Sequence, residues 1–227
     1  MPDTRLSKTL RGLAFLLGYP DDQMRAHLDE AHAVIQSEKV LSAKRVDEIS
    51  QLVQWMKTQN DLAVQGQYVE CFDRGRSTSL HLFEHVHGDS RDRGPAMIDL
   101  AKTYASSGMY LAEGELPDYL PVVLEFASTL DAKDARSFLS ETAHILNTIF
   151  SALIKRESPY ASVVGAAIEL AGERAQTVPF PADLPLDESW AEPVAFDGCS
   201  VAGQAKPGQP QPVHIVRNVS ASQGVAP

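Results

Sequence analysis

The sequence is poor in the residues that define several common protein classes. Its 227 residues include two cysteines, Cys71 and Cys199, too far apart for a CxxC metal or redox pair and too few for a disulfide framework. No apolar run approaches the roughly 18 residues that a membrane span needs, and the first residues lack the apolar core of a signal peptide. These features predict a cytoplasmic protein without direct membrane insertion.

Basic charge is scarce as well. There are 20 Lys plus Arg against 30 Asp plus Glu, which gives a net charge of −10. This charge repels nucleic acid phosphates, so we expect no nucleic acid partner. The excess of acidic over basic residues is concentrated in residues 61–130, which hold 11 acidic and 5 basic side chains. That segment is the candidate surface for a cationic partner.

Motifs for nucleotide binding and nucleophilic catalysis are missing. The sequence contains no G-x-G-x-x-G, no G-x-x-x-x-G-K and no G-x-S-x-G. Cys71 follows Glu70, whose negative charge disfavours a thiolate, so Cys71 is predicted to be a small core residue. The leading interpretation of the sequence is therefore a protein with no catalytic residue, no bound metal and no cofactor of its own.

Helical periodicity is what the sequence does contain. Apolar residues recur at spacings of three and four through the first 176 positions, and Asp21, Ser42 and Asp61 can each cap a helix. The helix after Asp21 is predicted to turn four residues inward: Met24, Leu28, Ala31 and Ile35. Further helices are predicted near 80–87, 92–106, 132–156 and 159–176, and another that opens at the prolines Pro117 and Pro121.

The composition changes at Val178, after which eight of the fourteen prolines occur and no helical period survives. We therefore predict an all-α protein: one helical domain over residues 1–177 and a Pro/Gly-rich, mostly disordered tail over 178–227.

One local pattern could bind a metal. His81, Glu84 and His85 form an H-x-x-E-H sequence, which on a helix places the three side chains on one face, as in an inverted zincin. A zinc-dependent hydrolase is thus an alternative function, although no third protein ligand stands out. The simpler interpretation is a half-exposed helix whose histidines bond to neighbouring groups.

The segment 113–121 combines three carboxylates with leucine, tyrosine and two prolines. This chemistry suits a peptide with apolar anchors and a cationic end. An equally good interpretation is a helix start at which Asp118 accepts hydrogen bonds from free amides, and the two are compatible.

Four segments carry a family resemblance: 68–73 (YVECFD), 79–82 (SLHL), 87–94 (HGDSRDRG) and 114–126 (GELPDYLPVVLEF). In this order they strongly resemble the NarJ subfamily of the TorD/DmsD redox-enzyme maturation chaperones, over about residues 4–176. A Glu-Pro-Asp-His signature of the TorD branch is replaced here by Glu-Leu-Pro-Asp-Tyr at 115–119.

The resemblance implies an all-helical, non-catalytic bundle of the TorD-like type and a system-specific assembly chaperone. Such a protein binds the N-terminal leader peptide of the nitrate reductase catalytic (alpha) subunit and supports molybdenum cofactor insertion before membrane assembly. A helical adaptor for another oxidoreductase would differ only in its client. The predicted peptide-binding residues are Glu70, Asp73, His81, Glu115, Leu116, Pro117, Asp118, Tyr119 and Leu120.

Overall fold

A computed structural model describes residues 6–88 and 90–180, and within these ranges the chain forms ten α-helices and no strand. This confirms the predicted all-α class. The helices are α1 (Ser7–Leu16), α2 (Asp22–Ala26), α3 (Leu28–Glu38), α4 (Ala43–Thr58), α5 (Asp61–Phe72), α6 (Leu82–His87), α7 (Arg93–Ser106), α8 (Leu120–Thr129), α9 (Ala132–Lys155) and α10 (Ala161–Leu170). A 3-10 turn, Arg76–Thr78, precedes α6. None of the described helices is both long and apolar enough to cross a bilayer.

Side-chain caps start several helices where the sequence predicted them. The Asp21 carboxylate and the Ser42 hydroxyl accept amide hydrogen bonds at the starts of α2 and α4, at 2.7 and 3.3 Å. The prediction for α5 was wrong by one residue: the Asn60 side chain accepts the Ala63 amide at 2.9 Å, and Asp61 is the first helical residue. Asparagine caps as well as aspartate, so local preference could not separate the two neighbours.

The helix predicted after Asp21 is two helices, because His27 leaves helical geometry with φ −107° and ψ 12°. Its ring Nδ1 lies 2.8 Å from the carbonyl oxygen of Gln23. Met24, Leu28 and Ile35 are nevertheless all buried. The apolar spacing is the same with and without the break, so periodicity did not reveal it.

α10 is the central element of the fold. Every residue from 161 to 168 is buried, as expected for a helix that is apolar on all sides. The long amphipathic α9 packs along it, and α4 and α1 also contact it. On the other side of the bundle, α1 packs against α3 and α8. This α1, α3 and α8 layer forms one side of the site described below.

The chain after α10 differs from the prediction. The helix predicted to reach residue 176 ends at Leu170, and the chain turns at Gly172, where φ is +84°. The backbone amides of Gln176 and Val178 then donate to the side chains of Asn147 and Ser151 on α9, at 2.9 and 2.8 Å. The domain boundary at 177 stays a prediction, and the tail predicted for 178–227 lies outside the described residues from 181 onward.

The crossing of α1 and α3 depends on a glycine. A Cβ atom built on Gly12 would lie 2.6 Å from Cγ1 of Ile35, which is closer than van der Waals contact allows. Gly66, on α5, has no heavy atom within 4 Å of the same built position. These two helical glycines therefore test opposite effects of the same substitution.

We expect Gly12→Ala to lower the free energy of unfolding by about 1 to 3 kcal/mol, because overpacking outweighs the gain in helix propensity. Gly66→Ala is the matched control and should raise it by about 0.5 to 1 kcal/mol. Urea denaturation followed by the helical circular dichroism signal measures both. A Gly12→Ala variant as stable as the parent would show that α1 and α3 can separate freely.

Candidate functional site

Two neighbouring cavities share one wall. The smaller, of about 510 Å³, we term the aromatic cavity; the larger, of about 700 Å³, we term the helix groove. The aromatic cavity is lined by Tyr19, Tyr68, Phe72, Asp73, Leu80, His81, Gly114, Glu115, Leu116 and Tyr119. The helix groove runs along α1, α2, α3 and the start of α8, and its lining includes Phe15, Met24, Ala31, Val34, Pro121, Val122, Asp21, Glu30 and Glu125. Tyr19, Glu115 and Tyr119 line both cavities.

The shared wall is held by backbone pairing. Residues His81 and Tyr119 form an isolated antiparallel bridge. The Leu120 amide donates to the Leu80 carbonyl at 2.8 Å, and the Leu82 amide donates to the Asp118 carbonyl at 2.9 Å. These two bonds fasten the segment before α8 to the residues before α6, and they place Tyr119 between the two cavities.

Tyr119 is fixed further by Tyr68. The Tyr68 hydroxyl donates to the Leu17 carbonyl at 2.8 Å and lies 3.2 Å from the Tyr119 hydroxyl. Because the single Tyr68 proton goes to Leu17, Tyr119 donates to Tyr68. Burial raises the pKa of both phenols, and the neighbouring Tyr119 adds to the rise at Tyr68, so both stay protonated at neutral pH. Ring contacts of Tyr68 with Tyr19 at 5.5 Å and Phe72 at 4.9 Å complete a rigid wall.

Asp118 is fully buried and holds three segments together. Its Oδ2 accepts the Phe83 amide at 3.1 Å, so it satisfies one of the free amides at the start of α6. Arg93 Nη2 lies 3.6 Å from the same oxygen, and His81 Nδ1 lies 3.5 Å from Oδ1. The sequence offered the interpretation that Asp118 accepts hydrogen bonds from free amides at a helix start. It does so at α6, which precedes it in the chain, and not at α8, which follows it.

The predicted binding residues fall into two groups. Five of them line the aromatic cavity: Asp73, His81, Glu115, Leu116 and Tyr119. The other four do not line either cavity: Glu70, Pro117, Asp118 and Leu120. Glu70 is exposed on α5 and pairs with Arg74 at 3.0 Å, whereas the other three are buried. Pro117, Asp118 and Leu120 therefore support the shared wall from behind, and their side chains do not line either cavity.

The sequence missed the contribution of the first 35 residues, which supply most of the helix groove. One signal was available: Tyr19 follows the helix-ending Gly18, and a large aromatic in an exposed turn commonly marks a contact site. Its side chain is 48% exposed although its ring borders both cavities. Glu125 was also missed as a residue of the groove, because nothing in its sequence context singled it out.

The carboxylates at the site are not neutralised. Among the described residues, Asp73, Glu115 and Glu125 form no ion pair, and Glu115 accepts only the Ala112 amide at 3.0 Å. Partial burial and the nearby charge of Glu115 raise the pKa of Glu125, and Arg11 opposes the shift. Burial raises the pKa of the Tyr119 hydroxyl, and the charge of Asp73 adds to that rise. The two cavities thus carry a negative field that a cationic ligand would relieve.

The H-x-x-E-H pattern does not form a zinc site. His81 precedes α6 with extended backbone angles, so the three side chains do not share a helix face. His85 Nε2 lies 2.9 Å from the Ser79 carbonyl, and Glu84 pairs with Arg93 at 3.3 Å. Within residues 6–88 and 90–180, no group of three or more potential ligands is arranged to hold a metal ion. The geometry therefore gives no support to the hydrolase alternative.

The raised pKa of Glu125 generates a stability prediction. A carboxyl whose folded pKa exceeds its unfolded value of about 4.3 destabilises the fold once the pH rises through the folded pKa. Glu125→Gln should therefore raise the melting temperature at pH 7, and this gain should disappear below about pH 4, where the carboxyl is protonated in both states. Glu141→Gln, on the exposed side of α9, is the control and should show no such pH-dependent gain. Equal behaviour of the two variants across pH would contradict the electrostatic account.

Comparison with known proteins gives a consistent family assignment. The profile of the family described as "Nitrate reductase delta subunit" matches residues 38–164. The nitrate reductase molybdenum cofactor assembly chaperone NarJ of Escherichia coli (strain K12) is 42% identical over 156 residues, which are 69% of this chain and 66% of that protein. The chain thus spans just under two thirds of the length of that relative.

Two further relatives agree. The probable nitrate reductase molybdenum cofactor assembly chaperone NarW of the same organism is 37% identical, over 72% of this chain and 68% of its own length. The probable nitrate reductase molybdenum cofactor assembly chaperone NarJ of Bacillus subtilis (strain 168) is 34% identical, over 73% of this chain and 91% of its own length. The names of these relatives describe assembly chaperones. The chain belongs to the nitrate reductase delta subunit family, the group that includes the NarJ-type assembly chaperones.

Proposed function

We propose that this chain is a cytoplasmic assembly chaperone for a respiratory nitrate reductase. In this proposal it binds the N-terminal leader peptide of the catalytic (alpha) subunit and supports insertion of the molybdenum cofactor before membrane assembly. The observation that carries the proposal is the pair of adjoining cavities, one mainly apolar and one aromatic, with unpaired carboxylates at Asp73, Glu115 and Glu125. The names of the relatives support nitrate reductase as the client and name no subunit or leader peptide.

The helix groove suits the apolar face of a client helix. Its walls are α1, α3 and the start of α8, with apolar contacts from Phe15, Val34 and Val122. A helix-in-groove complex places anchors from one face, about one turn apart, into such a surface. The acidic residues Glu30 and Glu125 border these contacts, so basic residues flanking the apolar face would meet opposite charge.

The aromatic cavity suits a single cationic side chain. Tyrosine faces attract an ammonium or guanidinium group, and Asp73 and Glu115 supply unpaired negative charge at the same place. Because the backbone bridge and the Tyr68 hydrogen bond already hold Tyr119, little conformational entropy is lost when a peptide binds there. A leader with an apolar helical face and a basic residue beside it matches both cavities together.

Titration of a synthetic leader peptide from the catalytic subunit tests this proposal. We expect binding that weakens with salt, and we expect the double variant Asp73→Asn/Glu115→Gln to bind about tenfold more weakly at low salt with a smaller salt dependence. The double variant Glu113→Gln/Glu141→Gln removes the same charge from exposed positions outside the two cavities and serves as the control.

Isothermal titration calorimetry at two ionic strengths gives both the affinity and its salt dependence. Identical salt slopes for the two double variants would place the peptide elsewhere. A leader peptide from an unrelated redox enzyme should bind more weakly than the nitrate reductase leader; equal affinity would favour an adaptor with a different client.

A further inference from the structure

A partly filled cation site lies directly behind the wall of the aromatic cavity. Arg93, the first residue of α7, places Nη1 3.3 Å from Glu84 Oε1 and Nη2 3.6 Å from Asp118 Oδ2. Both distances exceed the roughly 2.7 to 2.9 Å of a strong charge-assisted hydrogen bond. The guanidinium therefore neutralises two carboxylates without forming a bidentate pair with either of them.

The polar atoms of this site are incompletely satisfied. Asp118 is fully buried, yet its Oδ1 has no hydrogen-bond partner, and the same holds for the buried atoms His81 Nδ1 and Arg93 Nε. A buried carboxylate oxygen without a partner carries a desolvation cost that a better-placed donor would recover. The cluster thus holds a guanidinium and still leaves three buried polar atoms without a hydrogen-bond partner.

The site communicates with the proposed peptide surface. The His81 ring lines the aromatic cavity, lies against the Tyr119 ring with centroids 5.2 Å apart, and approaches Asp118 at 3.5 Å. Asp118 itself does not line the cavity, so a cationic side chain that enters past Tyr119 would meet the His81 ring before it reached Oδ1 of Asp118.

α7 is also attached at its other end. The Tyr104 hydroxyl donates to the Pro117 carbonyl at 2.8 Å, and its ring packs on Phe126 with centroids 4.4 Å apart. Ile98, on the first half of α7, is 58% exposed. These contacts of Tyr104 do not depend on Arg93, so they would keep α7 attached if Arg93 left its place.

We propose that Glu84 and Asp118 form a guanidinium-binding site that Arg93 occupies in the free chaperone and that an arginine of the client leader takes over. Arg93 is then an internal competitor, and client binding releases the first turn of α7. This inference rests on the proposed function, since it concerns the same peptide surface.

Removing the competitor should strengthen binding. Arg93→Gln should bind the leader peptide at least fivefold more tightly than the parent, because the competent state no longer requires displacement of Arg93. The affinity of Arg93→Lys for the peptide should lie between those of the parent and Arg93→Gln, since an ammonium cannot reproduce the guanidinium fork. The gain should vanish for a peptide whose arginines are replaced by glutamine. Arg74→Gln, which breaks the exposed pair with Glu70, is the control and should leave the affinity unchanged.

Hydrogen exchange of the unmodified chaperone gives a second readout that needs no variant. On peptide binding, amides in the first turn of α7 should exchange faster, whereas those of α1 and α8 should exchange more slowly. Slower exchange at the start of α7, or an Arg93→Gln variant that melts like the parent and binds no more tightly, would overturn the inference. If the unmodified chaperone bound no leader peptide at all, the proposed function would fail first, and this inference with it.

Discussion

The backbone hydrogen bonds between Leu80–Leu82 and Asp118–Leu120 are the constraint on which the site depends. They join two segments that are almost 40 positions apart, and they set Tyr119 at the boundary of two cavities. The buried Asp118 carboxylate strengthens this junction because it also satisfies the Phe83 amide at the start of α6. Without the junction, the segment 113–121 would be an ordinary surface loop, and the aromatic cavity would lose one of its walls.

The negative charge of the site has a cost in stability. Partial burial, together with the nearby charge of Glu115, raises the pKa of the Glu125 carboxyl, so the ionised Glu125 side chain lowers the stability of the free protein at neutral pH. Such residues persist where a cationic partner relieves the repulsion, which is the same relation between function and stability that strained binding sites show. The incomplete pairing of Asp118 with Arg93 is a second case of the same kind. Both features agree with the proposal that a cationic peptide binds at this site.

Local chemistry made much of the fold predictable. The caps at Asp21 and Ser42, the apolar faces of α1 and α9 and the proline at the start of α8 all act within a few residues of their own position. The break at His27 was hidden because it leaves the apolar spacing intact. The site was predictable only in part: the composition of 113–121 indicated a peptide surface, but Asp118 acts on a helix that begins 36 residues earlier in the chain. Similarly, the contribution of Tyr19 arises from the packing of α1 against α8, which no local pattern encodes.

The central claim is that the client leader occupies the surface around Tyr119, and site-specific photo-crosslinking tests it most directly. A photoreactive benzophenone amino acid at Leu116, which is 41% exposed and lines the aromatic cavity, should crosslink to the N-terminal leader of the nitrate reductase catalytic subunit. The same probe at Ile154, which is 46% exposed on α9, should not. Equal crosslinking from both positions, or crosslinking from Leu116 that persists when the leader is deleted, would contradict the account.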